Sequence, residues 1–389
     1  MARRGIALAT AKRMPLPDQL FTQLDQLAAF ESGPYPVVSL YLNMRPDNHG
    51  RDNFEPFLRK ELGERLRAFH AEGPERESLG RDAEGIRAYV REVDPSVNGL
   101  AIFSCAGADF FEAVVLPASI AGHRLYIADQ PHLYPLARVL EGCPRFAVLL
   151  ADTNSARLFV VAGNAVQHIE RVEGVRTRRH KMGGWAQARY QRHIENYHLH
   201  HAKEVAETLA RVVREEAIES IIISGNDVIV PLLKEHFSKA VSDRIVDVIK
   251  LDAHAPEREI LDATVAAMRV KDAETDRERV EALLGAYRSN GLGCVGVEDT
   301  RLALERGQVD ELVIATAPEI FNIDAGITDR VTTEVEQPSA GSPERTPEER
   351  IANELVVKAR QTAAKIRFIE ETALMDGVGG VGAFLRFKL

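Results

Sequence analysis

The sequence predicts an α/β (α+β) chain of three domains, and three observations carry that prediction. Apolar runs of strand length alternate with charged stretches whose apolar residues recur every three or four positions, the two periodicities of sheet and helix. A chain of 389 residues exceeds what one ordinary core organises, and with 45% hydrophobic and 28% charged residues it has material for several packed cores. The pattern also changes along the chain: mixed α and β first, three consecutive strands near the middle, and a fresh α/β run near the end. The expected domains are residues 1–142, 143–275 and 276–389.

In the first domain, residues 16–30 place Leu20, Phe21, Leu24, Leu27 and Ala28 on one helical stripe. Residues 36–42 read as a strand, and residues 53–69 as a helix with Phe57, Leu58, Leu62, Leu66 and Phe69 on one face. Asn98-Gly99 introduces a buried-strand run at 100–104, and residues 110–116 form another strand. The unit closes near Leu140.

The middle domain opens with strands at 146–152, 157–161 and 165–172, separated by the turn residues Asn154 and Gly163-Asn164. A long helix follows, in which Tyr190, Ile194, Tyr197, His201, Val205, Thr208, Leu209 and Val212 recur at helical spacing. Then come a strand at 218–224, a helix at 228–237, a strand at 244–251 and a helix at 256–270. Three antiparallel strands followed by alternating α and β predict a ribonuclease-H-like mixed sheet with helices packed on it. The charged run 271–281 continues the last helix toward the third domain. There, residues 293–300 lead into a helix at 300–306, with Asp299 or Thr300 as its cap. A strand at 309–315, an exposed loop at 337–345, a helix at 347–370 and a closing strand at 382–387 complete the chain.

Between Val175 and Ile194 there is no Asp or Glu, although the whole chain carries a net charge of -9. Arg176, Arg178, Arg179, Lys181, Arg189 and Arg192 make this segment a concentrated positive patch whose expected partner is anionic. At its centre Gly183-Gly184 removes two side chains and lets backbone N–H groups approach a ligand. Gln187 offers an uncharged amide with two donors and one acceptor, suited to a crowded, phosphate-lined cavity where a charged head would need a counter-ion. A flexible solvated loop before a helix accounts for the Gly-Gly pair equally well. Trp185 fits two roles, stacking on a base or pinning the loop to its own domain.

Other chemistries fit less well. The three cysteines, Cys105, Cys143 and Cys294, form no CxxC pair, so neither zinc nor a disulfide framework is expected, and a reducing cytoplasm is the natural compartment. His198, His200 and His201 cluster, but His200 and His201 point about 100° apart on a helix, and no metal is expected. Asp152 and Asp227 stand near strand ends without the further carboxylates of a two-metal nuclease. No apolar run is long enough to span a bilayer and none reads as a secretory leader, so no membrane is expected.

Gly296-Val297-Glu298-Asp299-Thr300, with Ala303-Leu304-Glu305, Gly307, Val309 and Leu312-Val313-Ile314, resembles the third domain of the archaeo-eukaryotic class I peptide-chain release factor family, which includes Pelota. The closing run Gly379-Gly380-Val381-Gly382-Ala383-Phe384-Leu385-Arg386-Phe387 is similar to that domain's final strand. Gly183-Gly184, Arg189, Tyr190, Arg192 and Val205-Ala206-Glu207 fall where a release factor has its Gly-Gly-Gln loop and following helix. The likeness is strongest to divergent bacterial members and to related peptidyl-tRNA hydrolases, and covers the chain from about Asn98 onward. It implies a Pelota/L7Ae-like α/β sandwich for the third domain and hydrolysis of the peptidyl-tRNA ester. In that role Gln187, Gly183 and Gly184 would position the attacking water, while Arg176, Arg178, Arg179, Lys181, Trp185, Arg189 and Arg192 contact RNA. The implied partners are the ribosome or its large subunit, peptidyl-tRNA and a translational GTPase, with no cofactor.

Two departures shape the expectation. Trp185 occupies the place of the family's catalytic Gln, with Gln187 two residues later, so Gln187 inherits the role only through a bulged loop. Neither the Asn-Ile-Lys-Ser nor the Tyr-x-Cys-x-x-x-Phe motif of stop-codon reading is present in the first domain. Codon-independent rescue is therefore expected over stop-codon decoding. A Pelota-like factor that binds ribosomes without chemistry is the alternative.

Overall fold

The computed structural model describes residues 17–45, 54–68, 73–94, 97–120, 122–142, 145–162, 165–173, 185–252, 255–321 and 346–388. Cys143, the Gly163-Asn164 turn and the 337–345 loop lie outside them. The chain divides into two compact units, one formed by Met1–Gly142 with Thr275–Leu389 and the other by Cys143–Glu274. Among the described residues no helix is long and apolar enough to cross a membrane.

The first unit holds two four-stranded sheets. Helix α1 (Pro17–Ala28) and strand β1 (Val37–Asn43) are followed by helices α2 (Phe54–Ala68) and α3 (Pro74–Glu92). Strands β2 (Gly99–Cys105), β3 (Phe110–Val115) and β4 (Arg124–Ala128) then complete an antiparallel sheet of order β3-β2-β1-β4, and helix α4 (Tyr134–Glu141) closes the segment. One sheet face meets α2 and α3 through Leu58, Leu62, Leu79, Ile86 and Val90. The other face, through Tyr41, Phe103 and Tyr126, joins a core that includes α1, α4 and the C-terminal sheet.

Helix α3 is an addition to the sequence expectation. Two glycines and nine charged positions blur its apolar period, yet Leu79, Ala83, Ile86 and Val90 bury one stripe. A buried carboxylate fixes it to β2. Asp82 accepts hydrogen bonds from the Ala106 N–H at 2.7 Å, from the Ser104 hydroxyl, and from the Ser78 hydroxyl at 3.4 Å.

The second unit is a five-stranded sheet of order β7-β6-β5-β8-β9. Its strands are β5 (Phe146–Ala151), β6 (Ser155–Ala162), β7 (Ala165–Glu173), β8 (Ser220–Gly225) and β9 (Ile245–Ile249). The first three are antiparallel neighbours and the last two run parallel to β5, the mixed layout expected from the strand pattern. Helices α5 (Trp185–Glu215), α6 (Ile229–His236) and α7 (Lys239–Ser242) supply the residues packed on one face, while Ile260 and Met268 of the next helix belong to a separate cluster with Val148, Phe159 and Ile222. Alternate residues of β5 thus feed two cores, as a sheet covered on both sides requires.

Helix α8 (Glu257–Arg288) runs unbroken through both the 256–270 and the 271–281 expectations. Beyond it, β10 (Gly293–Val295), helix α9 (Val297–Glu305), β11 (Val309–Ala315), helix α10 (Pro347–Gln361), β12 (Lys365–Ile369) and β13 (Val381–Leu385) form the last part of the first unit. The sheet order is β10-β13-β11-β12, with only β11 and β12 parallel.

Two expectations are corrected here. The 347–370 helix stops at Gln361, because Ala363 takes a left-handed φ of 53° and the Ala364 N–H closes on the Ala359 carbonyl at 2.8 Å. That six-to-one bond is a Schellman cap, and the chain after it is free to pair as β12. Helix α9 begins at Val297 behind Gly296, whose φ of 86° turns the chain, so Glu298 and Asp299 lie in its first turn and no side chain caps it. Asp299 and Thr300 therefore do not serve as N-caps; acidic groups there complement the positive helix end instead.

The two sequence-distant segments of the first unit are knit by polar contacts as well as by apolar ones. Asn353 of α10, nearly fully buried, accepts from the N–H groups of Leu133 (2.6 Å) and Tyr134 (3.1 Å) and donates to the Pro131 carbonyl. It thereby satisfies N–H groups that the start of α4 leaves without helical partners.

Candidate nucleic-acid interface

The candidate catalytic and RNA-contacting residues fall on one continuous stretch, the chain from the end of β7 into the first turns of α5. Gly183, Gly184, Arg176, Arg178, Arg179 and Lys181 lie outside the described residues. Trp185, Gln187, Arg189 and Arg192 belong to the first turns of α5, where the backbone is helical and the side chains lie outside the described set. What the structure defines is how both ends of this arm are held.

At one end, β7 is an edge strand whose last residue, Glu173, pairs with Ser155. Near that end Arg157 and Arg171 stand opposite each other in register. Arg157 donates to the Ala255 carbonyl at 2.8 Å, and burial first, then the like charge of Arg171, draw its pKa down from the guanidinium value. These two arginines add positive charge at the root of the arm. The sequence alone does not point to them, because each sits inside a strand rather than in the basic run.

At the other end, α5 is anchored by only part of its length. His201, Ala202, Val205, Ala206, Leu209, Val212 and Val213 are buried, whereas the described residues 195–200 are exposed or half-buried. The cause is dimensional. A 31-residue helix is about 46 Å long at 1.5 Å per residue, whereas a six-residue strand such as β5 spans only about 20 Å. The helix outruns the sheet that holds it, toward the Gly183-Gly184 pair that precedes its first turn in sequence. Arg211 ties the anchored part to β7, bonding Glu170 across the gap and Glu215 on its own helix at 2.9 Å. Arg145 bonds Glu216 where the helix ends.

The remaining candidates resolve into structural roles. Asp152 accepts from the Asn154 N–H (2.6 Å), the Ser155 N–H (2.7 Å) and the Ser155 hydroxyl (3.1 Å), a turn cap between β5 and β6. Asp227 is exposed, and beside it Asn226 caps the start of α6 through the Val228 and Ile229 N–H groups. His201 is buried with neither ring nitrogen hydrogen-bonded to a described residue, while burial, then the neighbouring His201, hold the pKa of His198 below 6.5. Among the described residues no group of three or more His, Cys, Asp or Glu side chains is placed to hold a metal ion. Gly225 ends β8 beside Ala151, where a Cβ would stand 2.8 Å from the Ala151 carbonyl oxygen, so only glycine closes that strand end against α6.

Comparison with known proteins agrees with this geometry. Residues 131–269, which contain the five-stranded sheet and the arm, match the model of the bacterial archaeo-eukaryotic release factor family 10. Peptide chain release factor subunit 1 of Thermococcus onnurineus is 22% identical over 414 aligned positions, covering 95% of this chain and 98% of that protein. Its counterpart from Pyrococcus abyssi is 23% identical over 354 positions, covering 80% and 84%. Among solved structures, S. cerevisiae Dom34, a translation termination-like factor, overlaps 77% of this chain and 82% of its own at 10% identity, with a TM-score of 0.41. The middle unit thus matches a bacterial branch of the archaeo-eukaryotic release factor family, and nearly the whole length aligns with archaeal release factors, so the chain is similar to that family as a divergent, release-factor- or Pelota-like protein.

Proposed function

We propose that this protein is a codon-independent ribosome rescue factor that hydrolyses the ester of peptidyl-tRNA through Gly183-Gly184-Trp185-Ala186-Gln187. The observation that carries the reading is the acid-free arm at the end of a helix that outruns its sheet. An acid-free, positively charged segment of that kind suits a cavity walled by RNA phosphate. Ester hydrolysis needs a water held against the carbonyl and donors for the developing oxyanion. The first N–H groups of α5, from Trp185 onward, have no partners within the helix and lie at its positive end. They supply such donors next to two residues that carry no side chain, and the Gln187 amide adds a neutral head.

Under this reading residues 143–275 deliver the arm and residues 276–389, the Pelota/L7Ae-like domain, meet a translational GTPase. The remaining partners are the ribosome or its large subunit and peptidyl-tRNA, in the cytoplasm. Arg176, Arg178, Arg179, Lys181, Arg189 and Arg192 contact phosphates, which fix position without reading sequence.

One structural observation favours a second reading. Helical backbone already begins at Trp185, so Gln187 stands within the first turn of α5 rather than in the bulged loop that the displaced glutamine calls for. A factor that docks on stalled ribosomes and leaves the chemistry to a partner would need no such loop. Single-turnover release of labelled peptide from peptidyl-tRNA on ribosomes or large subunits, with the purified protein alone, separates the two. Release that falls in Gln187→Ala supports the hydrolase; binding without release selects the docking factor.

A further inference from the structure

The first residues of α2 and the last residues of α3 lie side by side on the antiparallel sheet of the first unit and enclose a cleft of about 240 Å³. Leu58 and Val90, both packed into the core below, line it together with Arg59, Arg87, Arg91 and a single acid, Glu55. Arg87 and Arg91 are one helical turn apart on α3, a spacing at which like charges repel unless something anionic lies between them. None of the three arginines makes an ion pair or hydrogen bond with a described residue. Several other arginines of the same unit are engaged: Arg124 with Glu349 at 3.2 Å, Arg360 with Asp25 at 2.7 Å, Arg367 with Asp276 at 3.1 Å. In a chain with acid in excess, three arginines lining one cleft against a single acid make it a locally positive site open to an anion.

We propose that this cleft binds the phosphodiester backbone of RNA, as a second contact independent of the arm. Guanidinium is the side chain whose planar fork matches a phosphate through paired hydrogen bonds. The volume is below that of pockets that enclose whole small-molecule ligands, so the cleft takes a phosphate with part of its sugar rather than a free nucleotide. Its apolar lining is aliphatic, with no ring on which a base could stack, so the contact is independent of sequence. Glu55, the one acid of the lining, accepts a hydroxyl hydrogen bond of the kind a ribose offers and a deoxyribose lacks.

The test uses the full chain with Arg176, Arg178, Arg179 and Lys181 changed to Gln, so that the arm does not dominate. Binding of a labelled RNA hairpin with a single-stranded flank is followed by fluorescence anisotropy over a salt series. Adding Arg87→Gln and Arg91→Gln weakens binding on the order of tenfold, the size expected when charge-assisted hydrogen bonds are removed. It also lowers the slope of log affinity against log salt by roughly 0.7–0.9 for every phosphate left without its cation. Arg59→Gln alone moves both quantities in the same direction. Unchanged affinity and slope in the double variant, with an unchanged circular dichroism spectrum, overturn the proposal. So does displacement of the RNA by millimolar inorganic phosphate at constant ionic strength, which assigns the cleft to small anions. Equal affinity for the matching DNA hairpin removes the role of Glu55 and with it the assignment to RNA. Because no peptide release is read, the outcome is separate from that of the hydrolase reading.

Discussion

At the scale of single residues, the contrast between Gln187 and Asp82 shows two ways in which a polar side chain acts. Gln187 is proposed to act on a substrate, so Gln187→Ala lowers the rate of peptide release by a factor on the order of 10²–10³, the usual effect of losing one positioning donor, while affinity for ribosomes stays within about twofold. A release assay paired with co-sedimentation checks both halves. Asp82 acts on the protein itself. Burial raises its pKa above the ordinary 3.8 despite the hydrogen bonds from Ser104, Ala106 and Ser78 that oppose the rise. The folded state therefore holds the proton more tightly than the unfolded chain does. Its contribution is greatest below 3.8 and is lost as the pH rises through the raised folded value. Asp82→Ala, which strands the Ala106 N–H and the Ser104 hydroxyl, costs about 1–3 kcal/mol in denaturant unfolding. Asp82→Asn keeps most of the partners without the charge, so the stability of wild type relative to Asp82→Asn falls as the pH rises above 3.8 and through the raised folded value.

At the scale of elements, helix ends decide what can be read in advance. Helices α5, α8, α9 and α10 are all followed by a residue of positive φ: Ala217 at 50°, Asn290 at 54°, Gly307 at 65° and Ala363 at 53°. In each case the next N–H closes back over the last turn, at 2.9 Å for Ile218 to Val213, 2.8 Å for Gly291 to Ala286, 2.9 Å for Gln308 to Ala303 and 2.8 Å for Ala364 to Ala359. Asn290 and Gly307 announce such a turn in the sequence; an alanine does not. The stop at Ala363 is therefore illegible, and a helix expected to run to residue 370 hides β12 within it. The strands and mixed layout of the middle sheet are legible, because β5, β6 and β8 are dense apolar runs and turn residues separate the first three strands. Since left-handed backbone costs a residue with a Cβ about 1–2 kcal/mol and glycine little, Ala363→Gly and Ala217→Gly each stabilise the protein by up to about 1 kcal/mol after glycine's entropy cost. The midpoint of urea unfolding, with its slope unchanged, is the measure.

At the scale of the whole molecule, net charge does not announce the partner proposed for it. The chain is acidic overall, yet two positive features stand on separate units, the arm on residues 143–274 and the arginine cleft on α2 and α3. Screening over about 8–10 Å lets each act locally. The arm is legible because its cations are nearly consecutive in sequence; the cleft is not, because its arginines meet only after α2 and α3 pack. Neutralising the four arm cations Arg176, Arg178, Arg179 and Lys181 lowers the salt slope of ribosome binding by up to about 0.9 for every phosphate they had neutralised, read by pelleting over a salt series.

The polar stitch from Asn353 to the start of α4 joins residues 220 positions apart, and the core around it draws on both ends of the chain. A polypeptide made from its first residue onward must therefore finish the five-stranded unit while the apolar face of its opening segment still waits for α10 and β11. The unit that opens the chain is thus the last whose core can be completed. A fragment ending at Gly142 exposes that waiting face and binds an apolar dye, whereas residues 143–274 alone unfold in one cooperative step. A factor proposed to free arrested nascent chains has, by its own topology, a long half-folded passage on the ribosome.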